Sequence, residues 1–156
     1  MKTIKLVILV FFVSNLLFSS CSKDETGTPS YSAIELEILK LVNEHRTTIK
    51  KSTLELNDIV SQEAKTHTSN MANGSVAFGH DGFSERISRI KAALAGNGAG
   101  GENVASGYTS AKAVMDGWLN SAGHKANIEG DYNLIGIAAV QDKSGGYYYT
   151  QIFYKK

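Results

Sequence analysis

Apolar positions recur with a helical period through the first two thirds of the chain and crowd together near its end. Past residue 30, Ile34, Ile38, Leu41, Val42, His45 and Ile49 fall on one side of a helix. Ser32 and Glu35 have the spacing of a capping box, which predicts that this helix starts near Ala33. A second stripe of Val60, Ala64, His67, Thr68 and Met71 predicts a helix over 58–72, closed by Asn73-Gly74. Ile87, Ile90 and Leu94 predict a shorter third helix opening at Ser84, and Val114 and Trp118 a fourth over 110–120. The glycine-rich run 96–101 reads as a loop. Residues 134–141 and 147–154 read as strands joined at Asp142 and Gly145-Gly146, an antiparallel hairpin, with Glu102 to Ser106 as a shorter third strand. Helices come first and strands last, without regular alternation, so the expected class is α+β.

The amino-terminal residues carry a different pattern. Lys2 and Lys5 precede an apolar run from Leu6 to Phe18, broken only by Ser14 and Asn15 and followed by Ser19-Ser20. That is the layout of a secretory signal, expected to be removed as residues 1–20. Cys21, the only cysteine, follows at once and resembles the acylated cysteine of bacterial lipoproteins, although Phe18 stands where such signals usually carry leucine. Residues 21–30 then read as the lipidated Cys21 and a flexible tether, and residues 31–156 as the folded domain. Within the tether, Lys23-Asp24-Glu25 reads either as a surface-export signal or as plain solvated linker. The expected location is the bacterial cell envelope, lipid-anchored at the outer membrane or cell surface, with Cys21 the sole membrane contact.

Composition narrows the partners. The whole chain has 16 basic and 15 acidic residues, and loss of Lys2 and Lys5 with the signal makes it almost neutral. No basic footprint for nucleic acid is present. A lone cysteine allows no internal disulfide, so packing must carry the stability.

Three polar residues sit in short glycine-marked phrases: His80 in Gly79-His80-Asp81-Gly82, Glu102 in Gly101-Glu102-Asn103-Val104-Ala105, and His124 in Trp118-Leu119-Asn120-Ser121-Ala122-Gly123-His124. Two imidazoles and a carboxylate can hold a divalent metal or move protons if the fold brings them together. With Leu41-Val42-Asn43-Glu44-His45-Arg46 and Leu134-Ile135-Gly136-Ile137, these phrases occur in the order seen in the CAP superfamily. This group comprises the cysteine-rich secretory proteins, antigen 5 and pathogenesis-related 1 proteins, and the chain resembles its bacterial branch over about residues 33–154. The resemblance implies a three-layer α-β-α sandwich with a small antiparallel sheet. It also implies a cleft tetrad of two histidines and two glutamates, in which the histidines can bind zinc. By motif, His80, Glu102 and His124 match three of the four. The second glutamate would stand three residues after Trp118, where this chain has Ser121.

Each candidate also has a scaffolding reading. His80 could cap a neighbouring loop, His124 could neutralise the carbonyls of a helix end, and Glu102 could anchor backbone rather than orient an imidazole. His45 and His67, on apolar helix faces, read as core. No Gly-x-Ser-x-Gly elbow or His-Glu-x-x-His pair is present. The leading functional reading is a non-catalytic binding module for an extracellular lipid, glycan, peptide or protein, with His80 and His124 as candidate zinc ligands. The alternatives are a metal-assisted hydrolase of envelope peptide or glycan with Glu102 as general base, and a structural or adhesive surface protein.

Overall fold

A computed structural model describes residues 30–156; the expected signal over 1–20, Cys21 and nearly all of the expected tether lie outside the described residues. The first helix, α1 (Ala33–Thr48), opens on the expected capping box. Ser32 Oγ accepts from the Glu35 N–H, and Glu35 Oε2 accepts from the Ser32 N–H at 2.7 Å. A two-residue strand β1 (Glu55–Leu56) leads into α2 (Asp58–Ala72), whose first turn is capped by the Asn57 side chain. Then come α3 (Phe83–Leu94), β2 (Gly100–Ser106), α4 (Ala111–Leu119), α5 (Ala122–Ile128), β3 (Leu134–Gln141) and β4 (Tyr147–Tyr154).

The four strands form one sheet in the order β1-β3-β4-β2. β1 runs parallel to β3, and the other pairs are antiparallel. Helices cover both faces, giving the α-β-α sandwich. On one side, Val60 and Ala64 of α2 and Ile87 and Ile90 of α3 pack on Ala138, Ile152 and Tyr154. On the other, Ile38 and Val42 of α1, Val114 and Trp118 of α4 and Ile128 of α5 pack on Ile135, Ile137, Tyr149 and Phe153. The alternation along β3 and β4 divides their side chains between the two cores. At Gly136, α2 approaches so closely that an added Cβ would lie 2.3 Å from the Val60 carbonyl carbon. Only glycine permits that packing distance.

Several elements depart from the sequence expectation. β1 is too short to show a period. α5 lies past the end of the helix expected over 110–120, where no helix is expected, and β2 begins at Gly100, inside the stretch expected to be loop. Ile49 is 38% exposed, whereas its neighbour Arg46 is 2% exposed. Arg46 turns inward because its guanidinium donates to the carbonyls of Ser52, Ile128, Gly130 and Tyr132. His45, expected in the core, is half-buried and pairs with Glu129 at 2.8 Å. Arg46 and His45 together tie the end of α1 to the end of α5, so the helix that carries His124 is held at its carboxyl end by polar contacts.

Candidate functional site

The loop between α2 and α3 presents His80. Gly79 and Gly82 both have positive φ, at 150° and 77°, so the backbone turns on either side of His80 as β-carbon-bearing residues rarely do. Two buried side chains then pin the loop. His67, 3% exposed, donates from Nε2 to the Gly79 carbonyl at 2.8 Å; the acceptor is a carbonyl, so Nε2 carries the hydrogen. Arg86, on the inner face of α3, donates to the Asp81 carbonyl at 2.8 Å and the His80 carbonyl at 3.4 Å.

Arg86 also grips Glu102 bidentately, Nε to Oε2 at 2.9 Å and Nη2 to Oε1 at 2.8 Å. Glu102 Oε1 accepts a third bond, from His80 Nδ1 at 2.9 Å. A carboxylate only accepts, so His80 carries its hydrogen on Nδ1 and leaves Nε2 as the outward nitrogen of a half-exposed ring. Glu102 thus orients the imidazole. Its side chain is 2% exposed, and both oxygens are engaged.

His124 comes from the opposite side of the sheet. It lies inside α5, two residues past the start of that helix, and not after a helix end as its position in the sequence suggested. The buried Asn103 amide donates to the His124 carbonyl at 3.1 Å, and Asn127 Nδ2 donates to Asn103 Oδ1 at 2.9 Å and to the Glu102 carbonyl at 3.0 Å. Those bonds dock α5 against β2. Burial, and then the nearby charge of His80, pull the His124 imidazole below its ordinary range, favouring the neutral ring.

The two imidazoles face a cleft of about 460 Å³. Phe78, Gly79 and His80 form one wall, Tyr108, Gly117, Trp118, Ser121 and His124 the other, and Val104, Ala105 and Ser106 run between them. The fold therefore brings His80 and His124 to one cleft. Glu102 stands behind His80 and does not line the cleft. Among the described residues, no three or more His, Cys, Asp or Glu side chains form a group able to hold a metal ion. Ser121 lines the cleft at the position where a second carboxylate was expected from the resemblance.

Sequence reasoning missed Arg86 and Asn127 and took His67 for simple core. A signal for Arg86 was present: it falls on the inward stripe of α3 with Phe83, Ile87 and Ile90, where a charge needs a buried partner. Asn127 offered no comparable signal, because its partners lie about 25 residues away on β2.

Comparisons with known proteins give the family and the fold. The chain belongs to the CAP family, described as the cysteine-rich secretory protein family, whose model matches residues 39–153. An uncharacterized membrane protein of Bacillus subtilis, YlbC, is 30% identical over 152 residues, which span 94% of this chain and 42% of the relative. YkwD, an uncharacterized protein of the same organism, is 27% identical over 135 residues, 84% of this chain and 51% of the relative. The chain thus spans about half the length of the curated relatives it matches. Among solved structures, an outer surface protein of Borrelia burgdorferi superposes with a TM-score of 0.68 at 20% identity, covering 83% of this chain and 98% of that one. An extracellular protein of Bacillus anthracis containing an SCP domain gives a TM-score of 0.64 at 23% identity, covering 83% of this chain and 45% of that one. Identities this low show a shared fold and nothing finer.

Burial also lowers the His67 pKa, the main cause ahead of the opposing bond to Gly79. A histidine whose folded pKa is depressed lends full stability above its unfolded value of about 6.5 and loses it as pH falls through the folded value. His124 has the same sign. The thermal midpoint is therefore expected to drop between about pH 7.5 and about pH 5, and to drop less in His67→Gln, which keeps an N–H donor but cannot titrate. Thermal denaturation of both proteins at the two pH values checks this; an equal drop would contradict it.

Proposed function

We propose that this CAP domain is a non-catalytic binding module displayed outside the cytoplasm, with its ligand taken into the cleft between His80 and His124. The observation that supports this reading is the engagement of Glu102. A general base needs a free lone pair within reach of the proton it removes. Both Glu102 oxygens are held by a bidentate guanidinium, the carboxylate is buried behind His80, and Ser121 supplies no second carboxylate. What remains in the cleft is suited to recognition: the His80 imidazole oriented by Glu102, the His124 imidazole, a serine hydroxyl and the rings of Phe78, Tyr108 and Trp118.

Zinc fits this donor set poorly. His80 Nε2 and the His124 ring supply two protein ligands, whereas tight zinc sites have three or four. We assign zinc no part in the function. Calorimetric titration of metal-stripped protein is expected to give micromolar or weaker zinc binding that vanishes in His80→Ala, His124→Ala. Nanomolar affinity, or affinity that survives the double substitution, would refute this.

Turnover is the direct test of the non-catalytic assignment. Peptidoglycan fragments and a mixed peptide substrate pool are expected to remain intact with the protein, with or without added zinc. Cleavage abolished by Glu102→Gln would make the protein a hydrolase instead.

The extracytoplasmic placement draws on the secretory layout of residues 1–20 and on the secretory description of the family. Lipid anchoring through Cys21 belongs to the same reading. Metabolic labelling with an alkyne fatty acid in a bacterial host is expected to mark the wild-type chain and not Cys21→Ala. Equal labelling of the two would exclude that anchor.

A further inference from the structure

The strip between the two walls of the cleft is the edge of a β-sheet. β2 is an outer strand, paired only with β4. In an antiparallel pair, facing residues alternate between those that exchange backbone bonds and those whose N–H and C=O groups point outward. Gly107 N donates to the Tyr147 carbonyl at 3.0 Å, and at the other end Lys155 N donates to the Ala99 carbonyl at 2.9 Å. The register between these points is continuous, with Ala105 facing Tyr149 and Asn103 facing Gln151. The odd-numbered residues of β2 therefore bond to β4, and Glu102, Val104 and Ser106 direct their backbone groups away from it.

The protein closes part of this edge itself. The Glu102 carbonyl accepts from Asn127 Nδ2 at 3.0 Å, and the Val104 carbonyl accepts a long bond from Trp118 Nε1 at 3.4 Å. Among the described residues, no group bonds to the N–H of Val104 or to the N–H and C=O of Ser106. Both residues line the cleft. Further along the edge the Glu102 N–H and both backbone groups of Gly100 have no partner either among the described residues, but neither residue lines the cleft, so the open groups within reach of a cleft ligand are those of Val104 and Ser106.

The walls stand on opposite faces of the sheet. The Glu102 side chain reaches Arg86 of α3, which places the Phe78–His80 wall on the α2–α3 face. Ala105 points the other way, into the core that contains Trp118. An extended chain laid along β2 would alternate its side chains between these walls with the two-residue period of a strand.

We infer that the ligand of this cleft is an extended peptide segment that adds to β2 as a short fifth strand. Its carbonyls accept from the N–H groups of Val104 and Ser106, and one of its N–H groups donates to the Ser106 carbonyl. Successive side chains enter the His80–Phe78 wall and the Trp118–His124 wall. Peptide is favoured over glycan or lipid because donors and acceptors at strand spacing complement another peptide backbone, and alternating pockets supply the specificity. Phe78, 52% exposed and set edge-on to Tyr148, offers an apolar contact at the rim. This rests on the binding-module reading and deepens it.

The test is a displayed library of linear seven-residue peptides, panned in parallel on the full chain and on Ser106→Pro. Proline deletes an outward N–H at the exposed last residue of β2 and removes no bond to β4. Peptides enriched on the wild type are expected to bind Ser106→Pro at least about tenfold more weakly. Methylating the backbone nitrogens of an enriched peptide one at a time is expected to abolish binding at the single position that donates to the Ser106 carbonyl and to spare its neighbours, a readout that holds even if the proline variant misfolds. Failure to enrich any peptide would overturn the inference, as would binding indifferent to both proline and N-methylation. If such indifferent binding is still lost in His80→Ala, His124→Ala, strand addition fails while the cleft reading stands. If it survives there too, both fail.

Discussion

Arg86 and Glu102 carry charges that neither could keep in the interior alone. Removing an ion from water is expensive, and close approach repays it only when the geometry is good and the remaining donors and acceptors are satisfied. Here the pairing is bidentate, the spare donors of Arg86 meet the carbonyls of His80 and Asp81, and the spare capacity of Glu102 takes His80 Nδ1–H. The four residues come from α3, β2 and the loop that precedes α3. One ion pair therefore sets the position of the His80 loop relative to the sheet, the tautomer of His80 and the direction of its free nitrogen. It also engages both oxygens of the carboxylate behind His80.

The same logic recurs at the sheet edges, where side chains satisfy backbone groups that have no neighbouring strand. Glu35, already half of the capping box on α1, uses its other oxygen to accept from the Ala139 N–H on the outer side of β3. Asn43 bonds to both the N–H and the C=O of Leu54, just ahead of β1. On β2, Asn127 and Trp118 do the equivalent. Exposed edges invite pairing with other chains, and natural proteins usually close them. Against that background, the open N–H groups of Val104 and Ser106 and the open Ser106 carbonyl, where β2 borders the cleft, are places for another chain to bond.

Two imidazoles in one cleft would resist being charged together, and burial of His124 adds to that resistance. The cleft thus sets hydrogen-bonding groups between aromatic rings, with the His124 ring held toward its neutral form. Ser121 belongs to the same picture. Where a second carboxylate would have given the family tetrad its full charge, a small neutral hydroxyl widens the cleft and leaves its chemistry to the histidines and the backbone.

The sequence by itself determined the elements with a strong local period and a local stop signal. α1 begins at the Ser32–Glu35 box, α2 ends at Asn73-Gly74, and the strands at 134–141 and 147–154 have their expected bounds, because capping, glycine turns and apolar periodicity act within a few residues. The phrases around His80, Glu102 and His124 were legible for the same reason, with glycines marking where the backbone had to turn. Tertiary structure alone decided the rest. β1 exists only because β3 lies beside it, and α5 separates from α4 under the hold of Arg46, Asn103 and Asn127. Glu102 became a buried brace, and not a cleft carboxylate, because Arg86 meets it across 16 residues of chain. Hydrogen bonds and ion pairs between distant residues depend on angles and distances that no local pattern encodes, and in this protein those bonds determine which groups the cleft presents.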